Sequence, residues 1–178
     1  CAALNAHDVI ASNHRSHGHY LAKGGDLNAM LAEIYGRKTG CCGGRGGSMH
    51  LFDQGAGVIA SVPIVGSTIP LAVGAALAFQ QQEKPNVSIA FLGDAATEEG
   101  VFHESMNFAS VHKVPVIFLV ENNLYSVYTP LDLRQPNRPL VEYARAHSMP
   151  SRCVDGNNVE VVFEVTREMA TDAREGRG

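Results

Sequence analysis

The chain of 178 residues predicts an α/β fold, a mostly parallel sheet of about five strands with helices on both faces. Three observations carry this. Val87 to Leu92 and Val114 to Val120 are apolar runs too short for buried helices and rich in β-branched and aromatic residues, the pattern of strands covered on both sides. Between them, Thr97 to His112 places Phe102, Met106 and Ala109 at helical spacing, with Val101, Phe108 and Val111 widening the stripe. A strand–helix–strand unit of this kind closes right-handed, setting the carboxyl ends of neighbouring strands side by side along one crevice, where open α/β sheets bind ligands.

The remaining elements follow in chain order. The first residue is Cys1 rather than Met, and a strand over Asp8 to Ser12 begins almost at once, so a piece of a longer chain is expected. His14, His17 and His19 come next on a glycine-containing loop. They read either as a metal cluster or, with Arg15, as a phosphate-holding segment, since a guanidinium presents forked donors to phosphate oxygens. Asp26 caps a helix whose apolar residues Leu27, Met30, Leu31, Ile34 and Tyr35 form one stripe ended by Gly36, and that stripe is expected to face the core. Gly40 to His50 holds five glycines and Arg45 but lacks both common phosphate-loop patterns, so a mobile loop is the expected reading.

Gly57 to Val65 leads to Ser67 and Thr68 as a helix N-cap, with Pro70 in the first turn of a central helix through Phe79. Beyond the second strand of the unit lies a Pro-rich connection, Thr129 to Pro139, then a short helix from Leu140 to His147 with Leu140, Tyr143, Ala144 and His147 on one face. Arg152 to Val154 reads as a further strand turned by Asp155-Gly156. Asn158 caps a last helix carrying Val159, Val162, Phe163, Met169, Ala170 and Ala173, closed by Gly176. By size the whole, 1–178, is expected to be a single domain.

Composition narrows the function. With 45% hydrophobic residues the chain can bury a core, and a net charge of −4 without any basic run argues against nucleic acid as a partner. The longest apolar stretch, Ile69 to Phe79, is too short to cross a bilayer, so no membrane segment is expected. Four cysteines without Cys-x-x-Cys spacing fit reduced thiols in a cytosol-like compartment.

The chemistry concentrates between Gly93 and Asn123. Gly93 lets a ligand approach the backbone, Asp94 offers a hard carboxylate oxygen at a strand end, and Asn123, 29 positions on, can offer a second oxygen to magnesium or calcium from across the crevice. Free N–H groups at a helix start near Thr97 suit an anion. Spacing alone leaves a second account open, in which Asp94 merely caps a helix and Asn122-Asn123 merely turns the chain.

Gly93-Asp94 followed by Asn122-Asn123 resembles the thiamine diphosphate motif. The surrounding Glu121-Asn-Asn-Leu-Tyr-Ser126, with His14-Arg15-Ser-His-Gly18, Gly46-Gly-Ser-Met-His50 and Val154-Asp-Gly156, resembles the alpha subunits of thiamine-dependent 2-oxo acid and acetoin dehydrogenases across nearly the whole chain. The resemblance implies a thiamine diphosphate-binding fold and a subunit serving oxidative decarboxylation of a pyruvate-type 2-oxo acid, or cleavage of acetoin, with acyl transfer to a lipoyl group. It implies Asp94, Asn123 and the Tyr125 carbonyl as Mg2+ ligands. His14, Arg15, Pro63, Val65, Gly93, Asp94, Ala95, Ala96 and Asn123 would contact the cofactor, Val65 holding it bent, while His17 and His50 would be catalytic candidates, His50 with the glycine-rich loop near the active-site entrance. Three positions depart from the family's habits: His14 stands where Tyr is frequent, Pro63 where Gly is frequent, and Ala95 where the motif has Gly. Implied partners are a beta subunit in a heterotetramer and a lipoyl-bearing acyltransferase, in the bacterial cytoplasm or the mitochondrial matrix. The beta subunit would supply the Glu that activates the aminopyrimidine. Two other functions are kept: a non-catalytic interaction module retaining the fold, separable by a cofactor-binding measurement, and a nucleotide-binding dehydrogenase, disfavoured by the missing glycine fingerprint.

Overall fold

Strands form where the β-branched runs predicted them, and every long one is parallel. The structure, a computed structural model, describes residues 1–177. The order is β1 (Val9–Ser12), α1 (His17–Ala22), α2 (Leu27–Ile34), β2 (Val58–Ser61), α3 (Thr68–Gln81), β3 (Ser88–Gly93), α4 (Gly100–His112), β4 (Val116–Glu121), β5 (Tyr125–Ser126), β6 (Thr129–Pro130), α5 (Val141–Ala146) and α6 (Val159–Asp172). The main sheet runs β2-β1-β3-β4, four strands rather than about five, and β5 and β6 make a separate antiparallel hairpin. The stretch Arg152 to Val154, expected as a strand, has no regular secondary structure and pairs with nothing among the described residues. It carries one apolar side chain beside Arg and Cys, and all three residues are exposed, Val154 at 37%, so no buried face fixes it against the sheet.

Helices cover both faces because the strand residues alternate. Ala11, Ala90, Leu92 and Val116 point to one side and pack with Ile69, Ala72, Val73 and Ala76 of α3, Phe102, Met106 and Ala109 of α4, and Tyr143 of α5. Ile10, Val58, Ile89 and Phe91 point to the other and meet Tyr20 of α1, Met30 of α2 and Leu51. Burying a side chain such as Ile69 or Ile89 is worth about 1.5–3 kcal/mol, so the two layers hold the sheet from both sides. At the amino end, α6 lays Ala170 and, beyond it, Ala173 against Val87.

Several expected elements changed in detail. The helix read from Thr97 begins at Gly100; a 3-10 turn, Asp94–Glu98, precedes it, leaving Asp94 and Thr97 buried at the end of β3. Ser67 does precede α3, but its hydroxyl donates back to the Ile64 carbonyl at 2.8 Å instead of accepting a helix N–H. His17 and His19 lie on α1, not on a loop. Helix α2, capped by Asp26 as predicted through a bond from Ala29 N–H, shows the largest departure. Leu27, Leu31, Ile34 and Tyr35 are between 40 and 77% exposed, and the residues it buries are Met30 and Glu33. Burying Glu33 turns the helix about its axis, and the reason lies in the glycine-rich loop described below.

Candidate functional site

All four strands of the main sheet are parallel, so their carboxyl ends share one edge, and the expected site residues follow those ends. Asn13 to His19 follow β1, Pro63 and Val65 follow β2, Asp94, Ala95 and Ala96 follow β3, and Asn122 to Tyr125 follow β4. The chain passes from β1 to β2 on one side and from β3 to β4 on the other, so the connections diverge between β1 and β3. At such a divergence an open sheet leaves its ligand crevice, flanked here by the Asn13–Arg15 segment and by Gly93-Asp94. A Cβ placed on Gly93 would meet open space, which leaves the backbone there approachable.

Asp94 is 1% exposed. Its carboxylate is paired with the Arg134 guanidinium, which also pairs with Glu98. Removing one partner of a buried ion pair leaves an uncompensated charge, typically a loss of about 3–5 kcal/mol. The hydrogen bond to Asp94 leads the causes that hold the Arg134 pKa above its already high ordinary value, so the group stays cationic. Around it, Gln135 donates to Thr97 Oγ1 at 3.2 Å and to Glu98 at 2.9 Å, while Thr97 donates to the Asp94 carbonyl at 2.6 Å. Tyr143 of α5 donates to Gln135 Oε1 at 2.9 Å, tying the connection after β6 to the core.

Across the crevice, Glu121 closes β4 opposite Gly93 in register. His19 Nε2 lies 3.0 Å from Glu121 Oε1, His19 Nδ1 lies 2.7 Å from Ser12 Oγ, and Asn13 donates to Glu121 Oε2 at 2.8 Å. The imidazole stacks on Phe91 with ring centroids 4.0 Å apart. Burial opposes ionisation of Glu121, but its bond and charge interaction with His19 prevail and hold its carboxyl below the usual range. These contacts clamp the start of the Asn122–Tyr125 loop. Asn123 Oδ1 accepts from Tyr125 N–H at 3.0 Å, and Leu124 sits in the left-handed region at φ 68°, uncommon for a branched side chain. The β5 strand that follows packs against the Asp94–Glu98 turn, so the Asn123 loop and Asp94 border the same crevice.

Arg15 is exposed beside Glu121 and has no side-chain partner among the described residues, and His14 is half-buried next to it. Gly66 completes the turn after Pro63 and Val65 at φ 83°, a left-handed conformation that favours glycine, and a Cβ there would press on the Val101 side chain at 3.0 Å. His17 reaches Ser48 Oγ at 2.9 Å, and His50 Nδ1 lies 3.1 Å from the Gly46 carbonyl. The two catalytic candidates therefore meet at the glycine-rich loop, without contact to Asp94.

That loop is built around an anion of the chain's own. Glu33 Oε2 accepts from Cys42 N–H at 2.7 Å and Gly44 N–H at 2.8 Å; Oε1 accepts from Gly46 N–H at 2.6 Å and Gly47 N–H at 3.2 Å. A Cβ at Gly40 would lie 2.3 Å from the same carboxylate. Cys41 and Cys42 stand close to Glu33, the only such metal-competent grouping among the described residues. It is not arranged for a cation: four donors already face the carboxylate, and burial, then Cys41, push the Cys42 thiol up to about 11. The three histidines of the His14–His19 segment form no such grouping.

Sequence reasoning missed Arg134, Glu98, Gln135, Glu121 and Glu33. For Glu33 a signal existed, an acidic residue three positions after Met30 on the same helix face, ahead of a loop rich in free N–H groups. Arg134 offered none, lying in an irregular connection 40 residues from its partner. A shallow depression of about 250 Å³ between α3 and α4, lined by Pro70, Val73, Val101 and Phe108, includes none of the expected site residues.

The donor set suits a diphosphate held through a hard cation: a buried carboxylate, an amide oxygen and a main-chain carbonyl for the metal, with an exposed guanidinium for phosphate.

A doubly wound sheet with its polar groups gathered at the carboxyl edge defines a class of ligand-binding α/β proteins. Comparison places the chain within that class. The family model described as dehydrogenase E1 component matches residues 1–178, and the chain belongs to that family. It is 43% identical over 178 residues to the alpha subunit of acetoin:2,6-dichlorophenolindophenol oxidoreductase of Bacillus subtilis, covering 100% of this chain and 54% of the relative. The corresponding subunit of Cupriavidus necator is 45% identical over 175 residues, with 98% and 53% covered. The chloroplastic pyruvate dehydrogenase E1 component subunit alpha-3 of Arabidopsis thaliana is 38% identical over 182 residues, with 98% and 42% covered. The chain thus spans about half the length of these relatives. Among solved structures, transketolase from Campylobacter jejuni superposes with a TM-score of 0.72 at 18% identity, over 94% of this chain and 28% of that one, and so shares the fold.

Proposed function

We propose that this chain is the part of an E1 alpha subunit that binds the diphosphate and magnesium of thiamine diphosphate. The observation that carries the reading is the convergence at one sheet edge of a buried Asp94, the clamped Asn122–Tyr125 loop and an exposed Arg15, on a chain belonging to the dehydrogenase E1 component family. Asp94 and Asn123 would hold Mg2+ through side-chain oxygens and Tyr125 through its carbonyl, with Arg15 on the diphosphate. Bound there, the cofactor supplies the carbanion chemistry for decarboxylating a 2-oxo acid or cleaving acetoin. What this chain adds is binding and orientation. The Glu121 clamp fixes where the Asn123 loop begins, and Gly66 fixes the turn that brings Val65 to the edge.

Higher identity to the acetoin oxidoreductase subunits than to the pyruvate dehydrogenase subunit supports acetoin cleavage as the reaction of the complete protein. A beta subunit and a lipoyl-bearing acyltransferase are its expected partners. Asp94→Ala tests the reading: magnesium-dependent binding of thiamine diphosphate is lost while the circular dichroism spectrum persists, because Arg134 keeps Glu98 as a partner. Calorimetry with and without magnesium reads this, and unchanged affinity in a folded variant removes Asp94 from the site.

A further inference from the structure

We propose that Arg134 is an internal cation that competes with the divalent metal for Asp94. This rests on the reading of Asp94 as a metal ligand and adds to it a gate on metal access. A carboxylate 1% exposed requires a positive partner, and Arg134, itself 10% exposed in its side chain, provides it. The guanidinium holds Asp94 Oδ2, and a divalent ion on the same carboxylate would be a like charge only a few ångströms away in a poorly solvated place, where repulsion is strong. One must leave for the other to bind.

The surroundings show how Arg134 can leave without the backbone moving. Its Nη1 is already paired with Glu98, whose side chain is 33% exposed, while Nη2 holds the buried Asp94. The backbone around it is pinned independently. Gln135 is fixed by Thr97, Glu98 and Tyr143, and the Arg134 and Gln135 N–H groups both bond to the Leu131 carbonyl, at 3.0 and 2.9 Å. The guanidinium also donates through Nε to the Thr129 carbonyl at 3.3 Å, so the part that would move is the Nη2 end holding Asp94, swinging outward while Glu98 keeps Nη1. In this arrangement the chain's affinity for metal is set by the difference between two occupants of Asp94, and weakly binding cations fail to displace Arg134.

The test uses the full-length protein with its partner subunit and Mn2+ alone as the probe, followed by calorimetry or electron paramagnetic resonance. Arg134→Gln removes the charge and keeps an amide donor; it is expected to bind Mn2+ at least about tenfold more tightly than the parent. Arg134→Lys, which keeps the charge but loses the fork, is expected to gain less, and it decides the matter by the same comparison if the glutamine variant does not fold. A role for Arg134 in merely propping the turn predicts the reverse, weaker binding in both. Equal or weaker Mn2+ affinity in a folded variant overturns the competition. Asp94→Asn separates the two claims. Mn2+ binding undiminished there sinks the assignment of Asp94 as ligand, and the competition with it. Loss of Mn2+ there, with no gain at Arg134→Gln, sinks the competition alone.

Discussion

Glu33 is held by four backbone N–H groups and no cation, an arrangement normally met around a bound phosphate. Burial disfavours its charge, but the four bonds outweigh burial and hold its carboxyl below the ordinary value of 4.5. A carboxyl depressed on folding stabilises the fold above its unfolded pKa and loses that contribution as pH falls through the folded value. Glu33→Gln places an amide N–H against some of those donors and is expected to lower stability by about 3 kcal/mol at neutral pH. The deficit should shrink as pH falls from about 4.5 toward the lower folded value, because the unfolded parent then takes up a proton that the folded parent resists and the charge's contribution is lost. Thermal melts of both proteins across that range measure it, and a deficit independent of pH would show that the charge is not what the loop holds.

For the elements, α2 gives the sharpest contrast. Met30 is buried and Leu31 is 43% exposed, one position apart on a helix whose apolar stripe the sequence assigns to the core. Met30→Ala is expected to cost about 2–3 kcal/mol, and Leu31→Ser to stay within about 0.5 kcal/mol. Urea titrations of this chain check the pair, and similar losses at both would return the stripe to the interior. Spacing located the helix and its Asp26 cap, because caps and periods are local. It could not orient the helix, because orientation is decided by Glu33 reaching donors 9 to 14 residues away. The same division runs through the site. Asp94 and Asn123 were legible at strand ends because a parallel sheet aligns those ends, whereas the Arg134 pairing depends on how an irregular connection folds back over 40 residues. The strand expected at Arg152 to Val154 failed for a related reason, since three exposed residues with a single apolar side chain offer no half-buried face for a sheet to pack.

Across the whole molecule, the two ends of the described chain are fastened together. Asp8, fully buried, accepts the Val87 N–H at 2.9 Å and is paired with Arg174, 166 positions later, so α6 is anchored to the start of β1. Folding thus depends on contacts of high sequence separation, and under the proposed function turnover would draw on a beta subunit as well. Acetoin and pyruvate turnover by the chain with thiamine diphosphate and magnesium is expected to be at least about 100-fold slower than in a mixture with a beta subunit, the scale on which a missing proton-transfer group slows a reaction. An assay with an artificial electron acceptor measures it, and comparable rates would place the missing group in this chain. The sheet order has a practical corollary. β4 is bonded to β3 on one side only, and of Val116–Glu121 just the first residue is fully buried. Among the described residues its other side pairs with no strand, and Val116–Glu121 carries no lysine or proline to blunt that edge, while Ile117, Leu119 and Val120 lean half-buried on the core. An open parallel edge of this kind can template a further strand, and a strand laid along it, in cis or by another molecule, would complete its main-chain bonding.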